Sequence, residues 1–291
     1  ANPNNANEIY TGGVNLWKST NGGTNWINLS NWTSTVHADQ HDIWVNPNGS
    51  KIYVGNDGGV YTSTNNGSIW SWIGSGLQIS QMYRLGASKT NANLVMTGLQ
   101  DNGTKLRNNT TWTDVIGGDG MECMIDHSNA NIMYGALYYG QIRKSTNGGS
   151  SFSAMTLPSE YSSNLGAWVT PYVMHPTTAS TIYVGYRNVF KSTNSGSNWT
   201  QISNFTTGTL TLLHVAPSDA NYIYAATGGD GTVKRTTNGG TTWTSLTLPT
   251  TNYFTYLAIH PTNPLKIWTT FSGYTANAKV YESTDGGSTW T

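Results

Sequence analysis

Ser19-Thr20-Asn21-Gly22-Gly23-Thr24-Asn25-Trp26 returns with small changes as STNNGSIW (residues 63–70), STNGGSSF (145–152), STNSGSNW (192–199), TTNGGTTW (236–243) and STDGGSTW (283–290). Each part of the phrase has a physical job. The Asn or Asp side chain hydrogen-bonds its own backbone, and Gly supplies positive φ, so the middle closes a tight turn. The Ser and Thr residues before it and the aromatic after it suit extended strands. The phrase therefore predicts a β-hairpin whose Trp or Phe drops into a core.

The closing aromatics are Trp26, Trp70, Trp112, Phe152, Trp199, Trp243 and Trp290, spaced 40 to 47 residues apart. That period is the one expected for propeller blades. Trp112 ends a degenerate copy, Leu106-Arg-Asn-Asn-Thr-Thr-Trp112, which keeps the hairpin and loses the Gly pair. Upstream of each hairpin lies a Pro or polar turn followed by an Ile-Tyr pair or its equivalent, as in Asn46-Pro47…Ile52-Tyr53 and His175-Pro176…Ile182-Tyr183. Each unit then reads as four strands: an inner one before the turn, one at Ile-Tyr, one into Ser-Thr, and one outward from the Trp. The fold expected is all-β, a seven-bladed β-propeller of four-stranded antiparallel blades forming one domain over residues 1–291. The first blade is expected to lack its inner strand, because Asn2-Pro3…Ile9-Tyr10 aligns with Asn46-Pro47…Ile52-Tyr53. The last is expected to be incomplete as well, since Thr291 falls where an outer strand should run. Open sheet edges invite pairing, so a neighbouring domain or segment is expected to close this seam. A start at Ala1-Asn2-Pro3 suggests a processed or trimmed product of a longer chain.

Composition narrows the function. Fourteen basic residues balance fourteen acidic ones and only 10% of residues are charged, which argues against nucleic acid or an anionic membrane as partner. No apolar run is long enough to span a membrane. The single Cys123 excludes an internal disulfide framework and reads as a small buried hydrophobe. The sequons at Asn31 and Asn198 are expected by chance in so Asn- and Thr-rich a chain.

Six of the fourteen carboxylates fall in loops at one end of blades two to four. Asp39 and Asp42 lead into blade two and Asp57 follows its second strand. Asp101 follows the second strand of blade three, and Asp119 and Glu122 lead into blade four. Gly flanks most of them, where backbone turns sharply or approaches a ligand. Two like charges about 4 Å apart cost about 4 kcal/mol at an effective dielectric near 20. A crowd of carboxylates is therefore relieved by a cation, a raised pKa, or pairing with Arg84, Arg187 or a protonated His. Alternatively the loops splay apart and each Asp caps its own turn. His37-x-Asp39-x-His41 would share one face if extended and offers a ligand set for Zn or another divalent cation such as Ca, or else a set of loop-to-loop hydrogen bonds. His127, His175, His214 and His260, at inner-strand ends, read as structural. Trp44, Tyr83, Tyr138, Tyr139, Trp168 and Tyr186 lie in or near the same loops. Together with Arg84, Gln100, Asn102 and Arg187 they are the ligand-binding candidates, suited to stacking on sugar faces or else to interblade packing.

The repeated phrase resembles the Asp-box, or BNR, repeat of sialidase-like β-propellers, with Asn in place of Asp everywhere except Asp285. That resemblance implies a fold shared by sialidases, xyloglucanase-like glycoside hydrolases, Vps10 receptor propellers and a photosystem-assembly factor, and so does not choose an activity. Sialidases of this kind carry an Arg triad and an Arg-Ile-Pro signature. The arginines here are Arg84, Arg107, Arg143, Arg187 and Arg235 and the signature is missing, which disfavours a sialidase. Xyloglucanase-like enzymes place two acids across a cleft between two propellers, of which one propeller supplies one wall. The segments NDGGVY, GLQDNGT and DGMEC are similar to those of secreted multidomain surface proteins of Bacteroidetes-type bacteria. This similarity implies an extracellular or cell-surface location and type 9 secretion. Two functions follow as expectations. One is a binding or adhesion module for a polysaccharide or protein ligand. The other is a glycoside hydrolase-like enzyme using paired carboxylates, Asp57 with Asp101, or Asp119 and Glu122.

Overall fold

The computed structural model describes the chain except residues 31–34, 78, 207, 229–230, 275 and 277–278; the sequon at Asn31 lies outside the described residues. Two compact units divide it, Ala1–Gln81 and Met82–Thr291. Each consists of consecutive antiparallel sheets in which neighbouring strands follow one another along the chain.

In the first unit, sheet 1 holds Ile9–Gly12, Leu16–Ser19 and Ile27–Asn28, and sheet 2 holds Gln40–Val45, Ile52–Asn56, Gly59–Ser63 and Ser71–Trp72. Sheet 1 lacks an inner strand, as its alignment predicts. The second unit holds five sheets. Sheet 3 comprises Met82–Ala87, Leu94–Leu99, Gly103–Asn108 and Thr111–Ile116. Sheet 4 comprises Cys123–Ile125, Met133–Leu137, Gln141–Ser145 and Ser153–Ala154. Sheet 5 comprises Tyr172–Met174, Ile182–Gly185, Val189–Ser192 and Thr200–Gln201. Sheet 6 comprises Leu210–Val215, Ile223–Thr227, Val233–Thr236 and Thr244–Ser245. Sheet 7 comprises Phe254–His260, Asn263–Phe271 and Val280–Ser283, and Thr291 exchanges two 2.8 Å backbone bonds with Glu282 at its open side.

The core lies between successive sheets. Leu94, Met96 and Leu106 of sheet 3 meet Cys123, Ile125 and Met133 of sheet 4, and Tyr183, Val189 and Phe205 meet Leu213, Ile223 and Ala225 of sheet 6. Within a sheet, a second-strand Tyr faces a third-strand Lys across the ladder, as Tyr10 faces Lys18, Tyr134 faces Lys144 and Tyr183 faces Lys191. The ammonium sits 5.4–5.7 Å from the ring centroid in all three, a cation–π contact that shields the rim of each core.

The repeated phrase folds the same way six times. In residues 145–152 the Ser145 hydroxyl donates to Asn147 Oδ1 (2.8 Å) and accepts from the Gly149 N–H (3.0 Å), while Asn147 Oδ1 accepts from the Ser151 N–H (3.0 Å). The other five copies repeat these bonds, the last with Asp285 in the Asn role. Four hydrogen bonds donated by Thr289, Ser283 and Ser288 hold the Asp285 carboxyl well below the usual carboxylate range.

The closing aromatics Trp70, Phe152, Trp199, Trp243 and Trp290 pack, partly buried, against the cores, while Trp26 and Trp112 are exposed. In sheets 5 to 7 the indole N–H of the closing Trp reaches back to a backbone carbonyl just past the preceding sheet. Trp199 donates to Thr156 (2.8 Å), Trp243 to Ile202 (2.7 Å) and Trp290 to Thr247 (2.9 Å). Alongside, the Gly at the fifth position of each of these phrases sits against an apolar side chain just past the previous sheet: Gly196 on Met155, Gly240 on Ile202 and Gly287 on Leu246. The hairpin is thus a staple between blades. Trp243→Phe keeps the ring and removes the donor, so unfolding in denaturant should show a loss of about 1 kcal/mol. An unchanged midpoint would mean the bond contributes nothing.

Candidate functional site

In the first unit the proposed ligand set does not form. Asp39 has φ +61, a left-handed turn that breaks the alternation needed to align His37, Asp39 and His41. A register shift between Gln40 and Asp42 displaces His41 further. Among the described residues, these three make no common ligand cluster. His37 instead packs against Gly58, and its carbonyl accepts from the side chains of Gln40 and Asn56. Asp39 and Asp57 bring carboxylate oxygens within 4.8 Å of each other. His41 Nε2 and Asp57 Oδ1 are in hydrogen-bond contact. Asp42 accepts from its neighbour's N–H, Ile43, at 2.9 Å. Trp44 is half-exposed beside Tyr53, with ring centroids 5.4 Å apart.

The second unit assembles two neighbouring groups. The first is aromatic. Tyr138 and Trp168 stack with centroids 5.4 Å apart and planes 8° from parallel, and Tyr139 meets both edge-on. Trp168 is 41% and Tyr139 46% exposed. The indole N–H of Trp168 donates to the Tyr83 hydroxyl (3.0 Å), which donates to Gln100 Oε1 (2.9 Å). Rotation of the indole is thereby tied to an amide on another sheet. Tyr139 holds φ +56, and its N–H donates to the Trp168 carbonyl (3.2 Å). Gly166 lets the two loops approach, since a Cβ there would lie 2.5 Å from the Tyr139 carbonyl oxygen. A left-handed aromatic residue costs about 1–2 kcal/mol, and the strain puts its ring at the rim of the platform.

The second group is charged. Arg84 Nε lies 3.2 Å from Glu122 Oε2, and its Nη1 donates to the Tyr83 carbonyl (2.8 Å). Desolvation pushes the Glu122 carboxyl up to about 7 although Arg84 opposes it. Tyr172, fully buried, fixes the segment by donating to the Glu122 backbone carbonyl (2.7 Å). Arg84 and Glu122 line a cavity of about 210 Å³ together with Tyr172, Thr211, His214 and Tyr256. Burial, and then the charge of Arg84, lower His214 to about 4, so its ring is neutral at physiological pH.

The remaining candidates are placed as follows. Asp119 accepts the Asp101 N–H (2.9 Å), Asp101 occupies a left-handed turn at φ +59, and Asn102 donates to the Gln100 carbonyl (3.1 Å). Tyr186 is not part of a ligand surface: it is 0% exposed, with its hydroxyl bonded to the Gly140 carbonyl (2.9 Å). Arg187 keeps its Nε buried with no hydrogen-bond partner. His127, His175 and His260 are structural as expected. His127 bonds the His175 carbonyl, while His175 and His260 accept backbone N–H groups of the turns that follow. His214 packs edge-to-face on Tyr256 and also lines the cavity, and neither residue stands out as a site residue in sequence. The only signal was their position on inner strands of different repeats.

With this geometry in hand, comparison with known proteins places the fold. The family model of sortilin (neurotensin receptor 3), of the Sortilin-Vps10 family, matches residues 187–291. A GH74 xyloglucanase from Xanthomonas campestris superposes on 95% of this chain and 50% of its own, with TM-score 0.50 and 16% identity. YCF48, in a structure bound to D1 peptide, is matched over 98% of this chain and 78% of its own, with TM-score 0.51 and 13% identity. The chain is a β-propeller. A prolyl endopeptidase structure also matches the propeller over 99% of its length and 48% of the endopeptidase, with TM-score 0.50 and 10% identity. The propeller thus spans about half the length of the xyloglucanase, and at such identities the likeness extends to the fold alone. No curated protein matches its sequence. Among the described residues no helix is long and apolar enough to cross a membrane.

Proposed function

We propose that this propeller is a binding module of a larger secreted or cell-surface protein, and that its ligand is a glycan docking on the Trp168–Tyr139 platform. The observation that carries the reading is the stacked, partly exposed ring set whose orientation is locked through Tyr83 to Gln100. Flat rings flanked by amide and hydroxyl groups suit a ligand with an apolar face and hydroxylated edges. A preset platform also loses little rotamer entropy on binding. The low surface charge agrees with a neutral polysaccharide. Binding is favoured over hydrolysis because two of the candidate acids of this unit are engaged, Asp119 on the Asp101 N–H and Glu122 on Arg84.

A polysaccharide array identifies the glycan, and calorimetry with that glycan tests the platform. Trp168→Ala should weaken binding roughly thirty-fold, the effect of losing a central aromatic worth about 2 kcal/mol. Equal affinity of Trp168→Ala and the parent would reject the platform. Silence on every glycan, with capture of a peptide that Trp168→Ala abolishes, would transfer the same surface to a protein ligand.

A further inference from the structure

The cavity on the inner strands of the second unit lies beside the platform but has a different chemistry. Its titratable lining groups come from five sheets: Arg84 of sheet 3, Glu122 leading into sheet 4, Tyr172 of sheet 5, His214 of sheet 6 and Tyr256 of sheet 7. Tyr172 is committed to the Glu122 backbone. His214 and Tyr256 meet edge-to-face at 5.2 Å, and both are electrically neutral at physiological pH. Among the described lining residues, the formal charges are those of Arg84 and, when it is ionised, Glu122. Arg84 keeps 42% of its side chain exposed.

A planar guanidinium suits a carboxylate, because its N–H groups can donate to two oxygens at once. The group now against Arg84 is itself a carboxylate, so Glu122 shows the geometry that a ligand carboxylate would adopt and competes for the same donor. We propose that this cavity is a binding site for a small monocarboxylate, seated on Arg84 with N–H and O–H donors from His214 and Tyr256, and that Glu122 takes up one proton as the ligand enters. The proton balance is closed above pH 7: the ligand arrives as an anion, Glu122 becomes neutral by taking a proton from solvent, and Arg84 exchanges one carboxylate partner for another; below pH 7 the proton is already on Glu122. Burial already favours the neutral form of Glu122, which makes the exchange accessible near neutral pH.

Below pH 7 Glu122 is protonated and Arg84 is open to the ligand; above it the internal carboxylate holds Arg84 and must be displaced. Calorimetric titration of the 291-residue protein with sodium acetate, at constant ionic strength set by chloride, should give saturable binding at pH 6 that weakens about ten-fold by pH 8. Titrations in buffers of different ionisation enthalpy should show one proton taken up per acetate at pH 8. Glu122→Gln should bind at both pH values with the slope removed. Arg84→Gln, checked for an unchanged circular dichroism spectrum and melting temperature, should not bind. Equal affinity at pH 6 and 8, or a pH slope retained in Glu122→Gln, would overturn the proposal. So would an absence of saturation at pH 6, or acetate binding preserved in folded Arg84→Gln. Inorganic phosphate binding as tightly as acetate at pH 6 would overturn the choice of carboxylate.

Discussion

Tyr186→Ala is expected to lower the unfolding free energy by about 3–5 kcal/mol, the range for deleting a large buried aromatic. The ring is fully enclosed, 6.4 Å from both Phe190 and Tyr161 centroid to centroid. It also fills the space over Gly140, where a Cβ would come within 2.8 Å of its Cε1. The surrounding sheets are held by their own ladders and cannot collapse into the void. Tyr186→Phe keeps the packing and leaves the Gly140 carbonyl without its donor, so it should cost only about 1–2 kcal/mol. Chemical denaturation of both variants separates the two contributions. A Tyr186→Ala protein as stable as the parent, yet impaired in ligand binding, would return this residue to the site.

Gly98→Ala is expected to be as damaging, for a different reason. A Cβ at Gly98 would lie 2.0 Å from the Met121 carbonyl oxygen and 2.5 Å from the Gly120 carbonyl carbon. These obstacles are backbone, so no rotamer change relieves them. Gly120 in turn would place a Cβ 2.2 Å from the Gly103 carbonyl oxygen, and the Gly120 N–H bonds the Leu99 carbonyl at 3.0 Å. Room for one methyl therefore requires sheet 3 and the segment carrying Asp119 and Glu122 to part. Roughly 3 kcal/mol of destabilisation is expected, at the upper end for overpacking. Gly117→Ala is the control: nothing lies within 4 Å of its Cβ, and its melting temperature should match the parent's. Should Gly98→Ala melt with the parent as well, the close approach is not a constraint on the folded chain.

The parts of the molecule set by neighbours in sequence were legible in advance. Turn chemistry is local, so the Ser-Thr-Asn-Gly-Gly hairpins, their period, the seven sheets and the missing inner strand of sheet 1 could all be read from residue types and spacing. What went unread depends on atoms distant in the chain. The acceptors of Trp199, Trp243 and Trp290 are main-chain carbonyls more than forty residues upstream, which carry no sequence signature. His37, Asp39 and His41 alternate only if extended, and a positive φ at a non-glycine residue cannot be seen in a polar loop. Of the two readings for glycines near Asp101 and Asp119, a sharp turn or the approach of a ligand, Gly103 and Gly118 take the turn, with positive φ, and Gly98, Gly103 and Gly120 lie against another stretch of backbone. Tyr139, Trp168 and Tyr186 looked equivalent as loop aromatics, and burial alone separates platform from core. Arg84 and Glu122 could be named from sequence, but their meeting with His214 and Tyr256 needed five inner strands in place.

The indole staples have a consequence for how such a chain can be lengthened or shortened by recombination. Each staple begins on one sheet and ends on the one before, so the self-sufficient segment is not a sheet but the stretch from one closing Trp to the next. Excising or duplicating residues between equivalent points in two such stretches leaves every donor facing a carbonyl of the right kind. A crossover that joins unlike points orphans an indole and removes the apolar seat of a glycine. Exchange within sheets 5 to 7 should therefore join equivalent points of two such stretches, whichever points these are.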